Sequence, residues 1–145
     1  MTSSLHPAGR PAILAQVTEE NVELARGVVG DLNALFELFD DDIVWDNTGY
    51  APPDIRGVHR GREDVIEVLK KWVGTWTEYR FGIEETVEAD DRIVLVASET
   101  GRGAGSGAPM EHHFAMVWTF EDGRIVRGAA YPSKAEALAA AGLSG

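Results

Sequence analysis

The stretch Glu111–Tyr131, EHHFAMVWTFEDGRIVRGAAY, decides the architecture. Two runs rich in β-branched and aromatic residues flank Glu121-Asp122-Gly123. An Asp-Gly pair between such runs is a strong hairpin signal, because both residues accept the positive φ of a tight turn. The spacing therefore predicts a strand over Glu111–Phe120 and a partner over Arg124–Tyr131. Side chains alternate across a strand, so His112, Phe114, Met116, Trp118 and Phe120 share one face. His113, Ala115, Val117 and Thr119 share the other. The bulky set is expected to fill the concave side of a bent sheet.

The pattern extends backwards from this hairpin. Arg92–Thr100 is apolar on both faces, as an interior strand should be. A Gly-rich connection, Gly101–Pro109, joins it to Glu111. Before it, Tyr79, Phe81, Ile83, Glu85 and Val87 alternate with the mostly polar Arg80, Gly82, Glu84, Thr86 and Glu88. Asp90-Asp91 turns the chain. Further upstream, Val65, Ile66, Val68, Leu69, Trp72, Val73 and Trp76 recur at helical spacing, which predicts a helix from Arg62 to about Trp76. Ile43-Val44-Trp45-Asp46 reads as a short strand, and residues 47–60 as a loop broken by Pro52, Pro53 and Gly57. Thr18 can cap one early helix, and Asp31 a second that runs to about Phe39 and stops at Asp40-Asp41-Asp42. At the other end, Ser133 and Glu136 form a capping box for an Ala-rich helix that Gly142 can close. Helices early and hairpin-joined strands late give an α+β fold, with helices against one face of a strongly curved antiparallel sheet.

Composition agrees with one soluble domain. The chain has 145 residues, 44% hydrophobic and 26% charged. The division expected is an N-terminal arm over 1–17 and a single domain over 18–145. No apolar run approaches the ~20 residues of a membrane span. The net charge of −11 repels phosphate backbones and anionic lipid, so neither nucleic acid nor membrane is expected as a partner. Without cysteine there is no disulfide framework and no thiolate chemistry, which fits the cytoplasm.

Four local strings carry a resemblance. They are Gly30-Asp31-Leu32, Asp42-Ile43-Val44-Trp45-Asp46, Gly61-Arg62-Glu63 and Phe120-Glu121-Asp122-Gly123-Arg124-Ile125. In this order the chain resembles the nuclear transport factor 2-like superfamily, in its SnoaL-like and ketosteroid isomerase-like branch. The resemblance covers roughly Thr18 to Leu143. It implies a cone-shaped sheet, cystatin-like in outline, wrapped around N-terminal helices, with a pocket in the wide end. It also implies a homodimer through the outer sheet face, a small apolar or aromatic ligand and no cofactor.

The resemblance makes Asp46 the candidate general base, since the isomerases carry a carboxylate at the end of this strand. A carboxylate in a partly dry pocket is a better proton acceptor, because desolvation disfavours its charge. The oxyanion donors of those isomerases do not transfer. Met116 stands where they have a protonated aspartate, Glu23 or Leu24 where they have a tyrosine, and Leu69 where they have a second. His112 is the second catalytic candidate, as an acid/base or orienting donor; a rim histidine bonded to a neighbour is the plainer alternative. Asn47, Tyr50 and His59 can hydrogen-bond a ligand from the loop. Phe114, Met116, Trp118 and Tyr131 complete the expected substrate-binding set, with Gly128 and Ala130 leaving room. No tight ligand spacing supports a metal on His112, Asp46 and His59.

Two functions follow. One is a cofactor-independent isomerase, cyclase or lyase acting on a mostly apolar carbonyl compound. The other is a non-catalytic module of the same fold that binds a hydrophobic ligand or dimerises.

Overall fold

The structure, a computed structural model, describes residues 32–51 and 55–143. The expected arm, the helix beginning at Thr18, the Asp31 cap and Pro52-Pro53 lie outside the described residues. The described chain runs α1 (Leu32–Leu38), β1 (Phe39–Asp46), β2 (Val58–Arg60), α2 (Arg62–Gly74), β3 (Trp76–Ala89), β4 (Arg92–Gly103), β5 (Pro109–Glu121), β6 (Arg124–Tyr131) and α3 (Lys134–Ala140). The strands form one open, curved sheet in the order β2-β1-β6-β5-β4-β3. It is antiparallel except at one pair: β1 runs parallel to β6, so the sheet is mixed.

The hairpin at the root of the fold forms as its residues dictate. Asp122 and Gly123 both take positive φ, 51° and 78°, and β5 pairs with β6 around them. At the other end, Ser133 Oγ accepts a hydrogen bond from the Glu136 N–H at 3.2 Å, the capping box made real. Gly142, at φ 83°, lets the chain leave α3.

The strand register sorts the concave face into cross-strand rows. Trp45, Gly128, Trp118 and Ile93 form one row, and Ala130, Met116 and Leu95 the next. Phe114, Ala97 and Ile83 follow, then His112, Glu99 and Phe81. Below the Trp45 row, Phe36, Phe39, Ile43 and Ile125 are all buried and make the base of the core. Arg62 ties the two helices together by donating to the Phe36 carbonyl at 3.1 and 3.3 Å. The convex face is covered in part by α3, whose Ala137 and Leu138 pack with Val94, Ala115 and Val117.

Several expectations need correction. α1 ends at Leu38, about where expected, but Asp40-Asp41-Asp42 lies inside β1 rather than between the helix and a strand that starts at Ile43. Phe39 already belongs to β1, is fully buried, and pairs with Ile125; that tertiary contact outweighs the local stop signal. Trp76 opens β3 rather than closing α2, because it pairs with Gly103. The Gly-rich stretch is strand as far as Gly103. A Cβ on Gly101 would lie 3.0 Å from Trp76 Cβ, so glycine there allows the close crossing. Residues 58–60 of the supposed loop form β2, paired with β1. The simple alternation of β3 also breaks. A register shift between Ile83 and Glu85 inserts one residue, and a single inserted residue exchanges the faces of everything beyond it. Phe81 and Ile83 therefore join the concave core, whereas Val87 and Ala89 pack under α3.

Candidate active site

The concave face encloses a cavity of about 750 Å³, within the range that holds a drug-sized ligand. Leu32 and Leu35 of α1 and Leu69 and Trp72 of α2 supply one wall. The sheet supplies the other through Phe81, Phe114, Met116 and Trp118.

Among the described residues, a single carboxylate stands in this largely apolar wall. Glu99 of β4 is only 6% exposed. Burying an ion is costly unless its lone pairs find donors, and here three are found. Trp72 Nε1 and Tyr79 OH both donate to Oε2, at 3.1 and 2.6 Å. His112 Nδ1 lies 3.1 Å from Oε1. With Glu99 ionised, that ring nitrogen must carry the hydrogen, since a carboxylate only accepts. A carboxylate has about four acceptor sites; among the described residues Oε2 has two filled, and Oε1 keeps one open. The His112 ring is held stacked on Trp72, centroids 6.1 Å apart, and edge-on to Tyr50 at 6.4 Å. Its side chain is 29% exposed, so it connects the buried acid to the rim.

The negative charge is felt by both nearby phenols. Burial, then the charge and hydrogen bond of Glu99, hold the Tyr79 hydroxyl well above its ordinary range. Burial, then the Glu99 charge, raise Tyr50. Both are neutral donors at physiological pH.

The expected site residues divide. Asn47, Tyr50, Phe114, Met116 and Trp118 line the cavity. Asn47 also ties down its own loop, with Nδ2 donating to the Ile55 carbonyl at 2.9 Å. Tyr50 stacks on Phe114 with centroids 5.6 Å apart. His112 meets the cavity through Glu99. His59 is not in the wall: its Nε2 lies 3.0 Å from the Ile55 carbonyl oxygen, a loop contact. Tyr131 is on the other face, packed with the α3 cluster, because it alternates with Ala130, which faces the cavity. Gly128 leaves no room for a ligand; the Trp45 ring occupies the space above it.

Asp46 does not face the hollow either. Trp45 takes the concave side, so Asp46 must take the convex one. There it accepts from Arg127 Nη2 at 2.9 Å and from the Thr48 backbone N–H at 2.9 Å, with the Thr48 hydroxyl as a third donor at 2.5 Å. Partial burial pushes its carboxyl up, but the Thr48 hydrogen bonds and the Arg127 charge together outweigh that and hold it below its ordinary value. A lowered carboxyl contributes stability above the unfolded-state pKa of about 3.9 and loses it as pH falls further. Arg127→Met should therefore cost about 0.5–1 kcal/mol at pH 7, and the gap should narrow towards pH ~2, as the lowered Asp46 carboxyl takes up its proton. Urea unfolding at the two pH values measures it; an equal gap at both would refute the pairing.

Among the described residues, no group of three or more His, Asp or Glu is placed to hold a metal ion. No helix among them is long and apolar enough to cross a membrane.

Sequence reasoning passed over Glu99 and Tyr79. The signal was present. Glu99 has the same parity as Ile93, Leu95 and Ala97, and a carboxylate on the buried side of an interior strand needs a reason.

This bent sheet, with a cavity between its concave face and the helices, is the ketosteroid isomerase-like, nuclear transport factor 2-like architecture. The chain belongs to the SnoaL-like domain family, whose model matches residues 24–128. No curated protein matches it. It is similar to a protein with a ketosteroid isomerase-like fold from Catenulispora acidiphila, solved with trimethylamine: 22% identity over 87% of this chain and 95% of that one, TM-score 0.64. It is also similar to a protein from Jannaschia described as a SnoaL-like polyketide cyclase: 15% identity over 79% and 86%, TM-score 0.68. A protein from Bacillus subtilis described as an isomerase is 21% identical over 85% and 95%, with TM-score 0.68. At these identities the likeness is one of fold.

Proposed function

We propose that this chain is a small-molecule acid–base enzyme of the SnoaL-like class, acting on a mostly apolar carbonyl compound, with Glu99 as its base. The observation that carries this reading is the buried Glu99 carboxylate in the cavity wall, with one acceptor site of Oε1 unfilled by the described residues. A proton on the carbon beside a carbonyl is weakly acidic. When its C–H bond breaks, the electron pair spreads onto the carbonyl oxygen as an enolate, and the proton passes to Oε1. Returning that proton to a different carbon is an isomerisation. Attack of the enolate on a second carbonyl of the same molecule is a cyclisation. Trp72 and Tyr79 fix Oε2 and so aim Oε1. His112 holds Oε1 from the rim and is a positioning residue. The bound amine and the cyclase and isomerase descriptions among proteins of this fold are compatible with the reading. The convex surface not covered by α3, which carries Asp46, Arg127 and His113, is the face left for a homodimer of this class.

The test needs no known substrate. Apolar methyl ketones in D2O are followed by proton NMR for loss of the signal beside the carbonyl. The protein should accelerate exchange. Glu99→Gln should lose about a hundred- to ten-thousand-fold of that acceleration, the usual worth of a positioned acid or base, whereas Asp46→Asn should keep it. Ketones that bind without faster exchange would leave the second reading, a cavity that holds its ligand without converting it.

A further inference from the structure

A base alone does not make an enolate. As the proton passes from carbon to Glu99 Oε1, charge develops on the carbonyl oxygen, and a donor must stand within about 3 Å of it. Most polar groups around Glu99 are committed elsewhere. Trp72 Nε1, Tyr79 OH and His112 Nδ1 are spent on the carboxylate itself. Ser98 and Thr100 alternate with Glu99 along β4, so they take the other face, and Arg80 pairs with Thr100 on that face. Trp118 Nε1 is buried without a partner among the described residues. Trp118 pairs with Ile93, however, and six residues of β4 separate Ile93 from Glu99, roughly 20 Å along the strand. Asn47 follows Asp46, the partner of Ala129, and so stands by the Ala130–Met116–Leu95 row, roughly 13 Å short of Glu99.

Tyr50 is placed differently. It lines the cavity, and its ring is fixed on two sides, stacked on Phe114 at 5.6 Å and edge-on to His112 at 6.4 Å. His112 is the group that holds Oε1, so Tyr50 stands on the side of the oxygen with the open site. Its hydroxyl has no hydrogen-bond partner among the described residues. Burial, then the Glu99 charge, keep that phenol protonated and able to donate.

We infer that Tyr50 is a second catalytic residue, whose hydroxyl donates to the substrate's carbonyl oxygen as the enolate forms. The inference rests on Glu99 as the base, as proposed above, and adds the group that receives the charge. The electron count closes within the pair. The C–H pair becomes the C=C bond, the carbonyl π pair moves onto oxygen, the proton lies on Oε1, and the Tyr50 proton stays on Tyr50 in the new hydrogen bond.

Tyr50→Phe keeps the ring and both of its ring contacts. With 2-nonanone in D2O it should lower the maximal exchange rate about a hundred- to a thousandfold, the usual worth of one oxyanion donor. KM should change little, because the bond strengthens mainly as charge develops. A contact test without turnover uses 4-nitrophenolate, an oxyanion on an apolar ring, titrated by absorbance into Glu99→Gln, whose neutral amide stands for the protonated acid. Adding Tyr50→Phe should weaken that binding about ten- to a hundredfold, whereas adding Tyr79→Phe should leave it unchanged. An exchange rate that Tyr50→Phe does not lower would overturn the inference. So would phenolate that does not bind Glu99→Gln, or whose binding Tyr50→Phe leaves alone or Tyr79→Phe weakens equally. A parent protein that exchanges no proton but shows the predicted phenolate pattern would reject Glu99 as the base and retain Tyr50 as the donor.

Discussion

Glu99→Leu is expected to lower the unfolding free energy by about 2–4 kcal/mol, although leucine nearly matches glutamate in size and is better suited to an apolar wall. The reason lies in the groups left behind. Trp72 Nε1, Tyr79 OH and His112 Nδ1 all point at the carboxylate. A buried donor stripped of its acceptor costs about 1–3 kcal/mol, and three such losses outweigh the gain from removing a buried charge. Glu99→Gln keeps one acceptor oxygen and should cost about half as much. It should also bring Tyr50 and Tyr79 back towards the ordinary phenol range, because the Glu99 charge contributes to the rise of both. Urea denaturation gives the first quantity and tyrosinate absorbance the second. A Glu99→Leu protein as stable as the parent would mean that the three donors do not depend on this acid, and the site as described would fail.

The second large effect is at Gly128. Its backbone φ is not in the positive range, so alanine is allowed there, and the change by itself should stabilise by about 0.4–1 kcal/mol through the unfolded chain. The tertiary structure reverses that sign. A Cβ at 128 would lie 2.4, 2.5 and 3.0 Å from three carbons of the Trp45 ring. An indole is rigid and this one is 4% exposed, so the whole ring must shift. That disturbs its contact with Phe39, at 5.6 Å between centroids. Overpacking of this kind costs about 1–3 kcal/mol. Gly128→Ala should therefore be a net destabiliser, and it should change the tryptophan fluorescence. A more stable variant with unchanged emission would show that Trp45 does not lie over Gly128.

The same two residues show what could be read from the chain and what could not. The hairpin at Asp122-Gly123, the helix after Gly61 and the capping box at Ser133 are local signals, each satisfied by residues close in sequence, and they form as expected. The concave face of β5 is equally local, because alternation alone puts Phe114, Met116 and Trp118 together. Gly128 is different. Its small size reads as space for a ligand until Trp45 is known to fill it, and Trp45 comes from a strand that is distant in sequence and runs parallel to β6.

Asp46 and Glu99 divide along the same line. Both are strand carboxylates, and strand parity places each one relative to its neighbours. Parity does not say which side of the sheet is the hollow. Trp45 settles that for β1 by turning inward and sending Asp46 out to Arg127. The apolar residues Leu95 and Ala97 turn inward in β4 and carry Glu99 with them. The β3 bulge between Ile83 and Glu85 divides one parity in the same way, with Phe81 and Ile83 inward and Val87 and Ala89 outward, since one inserted residue exchanges the faces beyond it without marking the sequence.

Alternation, turn chemistry and helical spacing thus established a curved α+β sheet with a cavity-forming aromatic strand, because those signals act between neighbours along the chain. Which carboxylate entered the cavity was decided only when six strands were set side by side. Burying a charge is tolerable only where donors converge on it, and Trp72, Tyr79 and His112 reach Glu99 from three different elements.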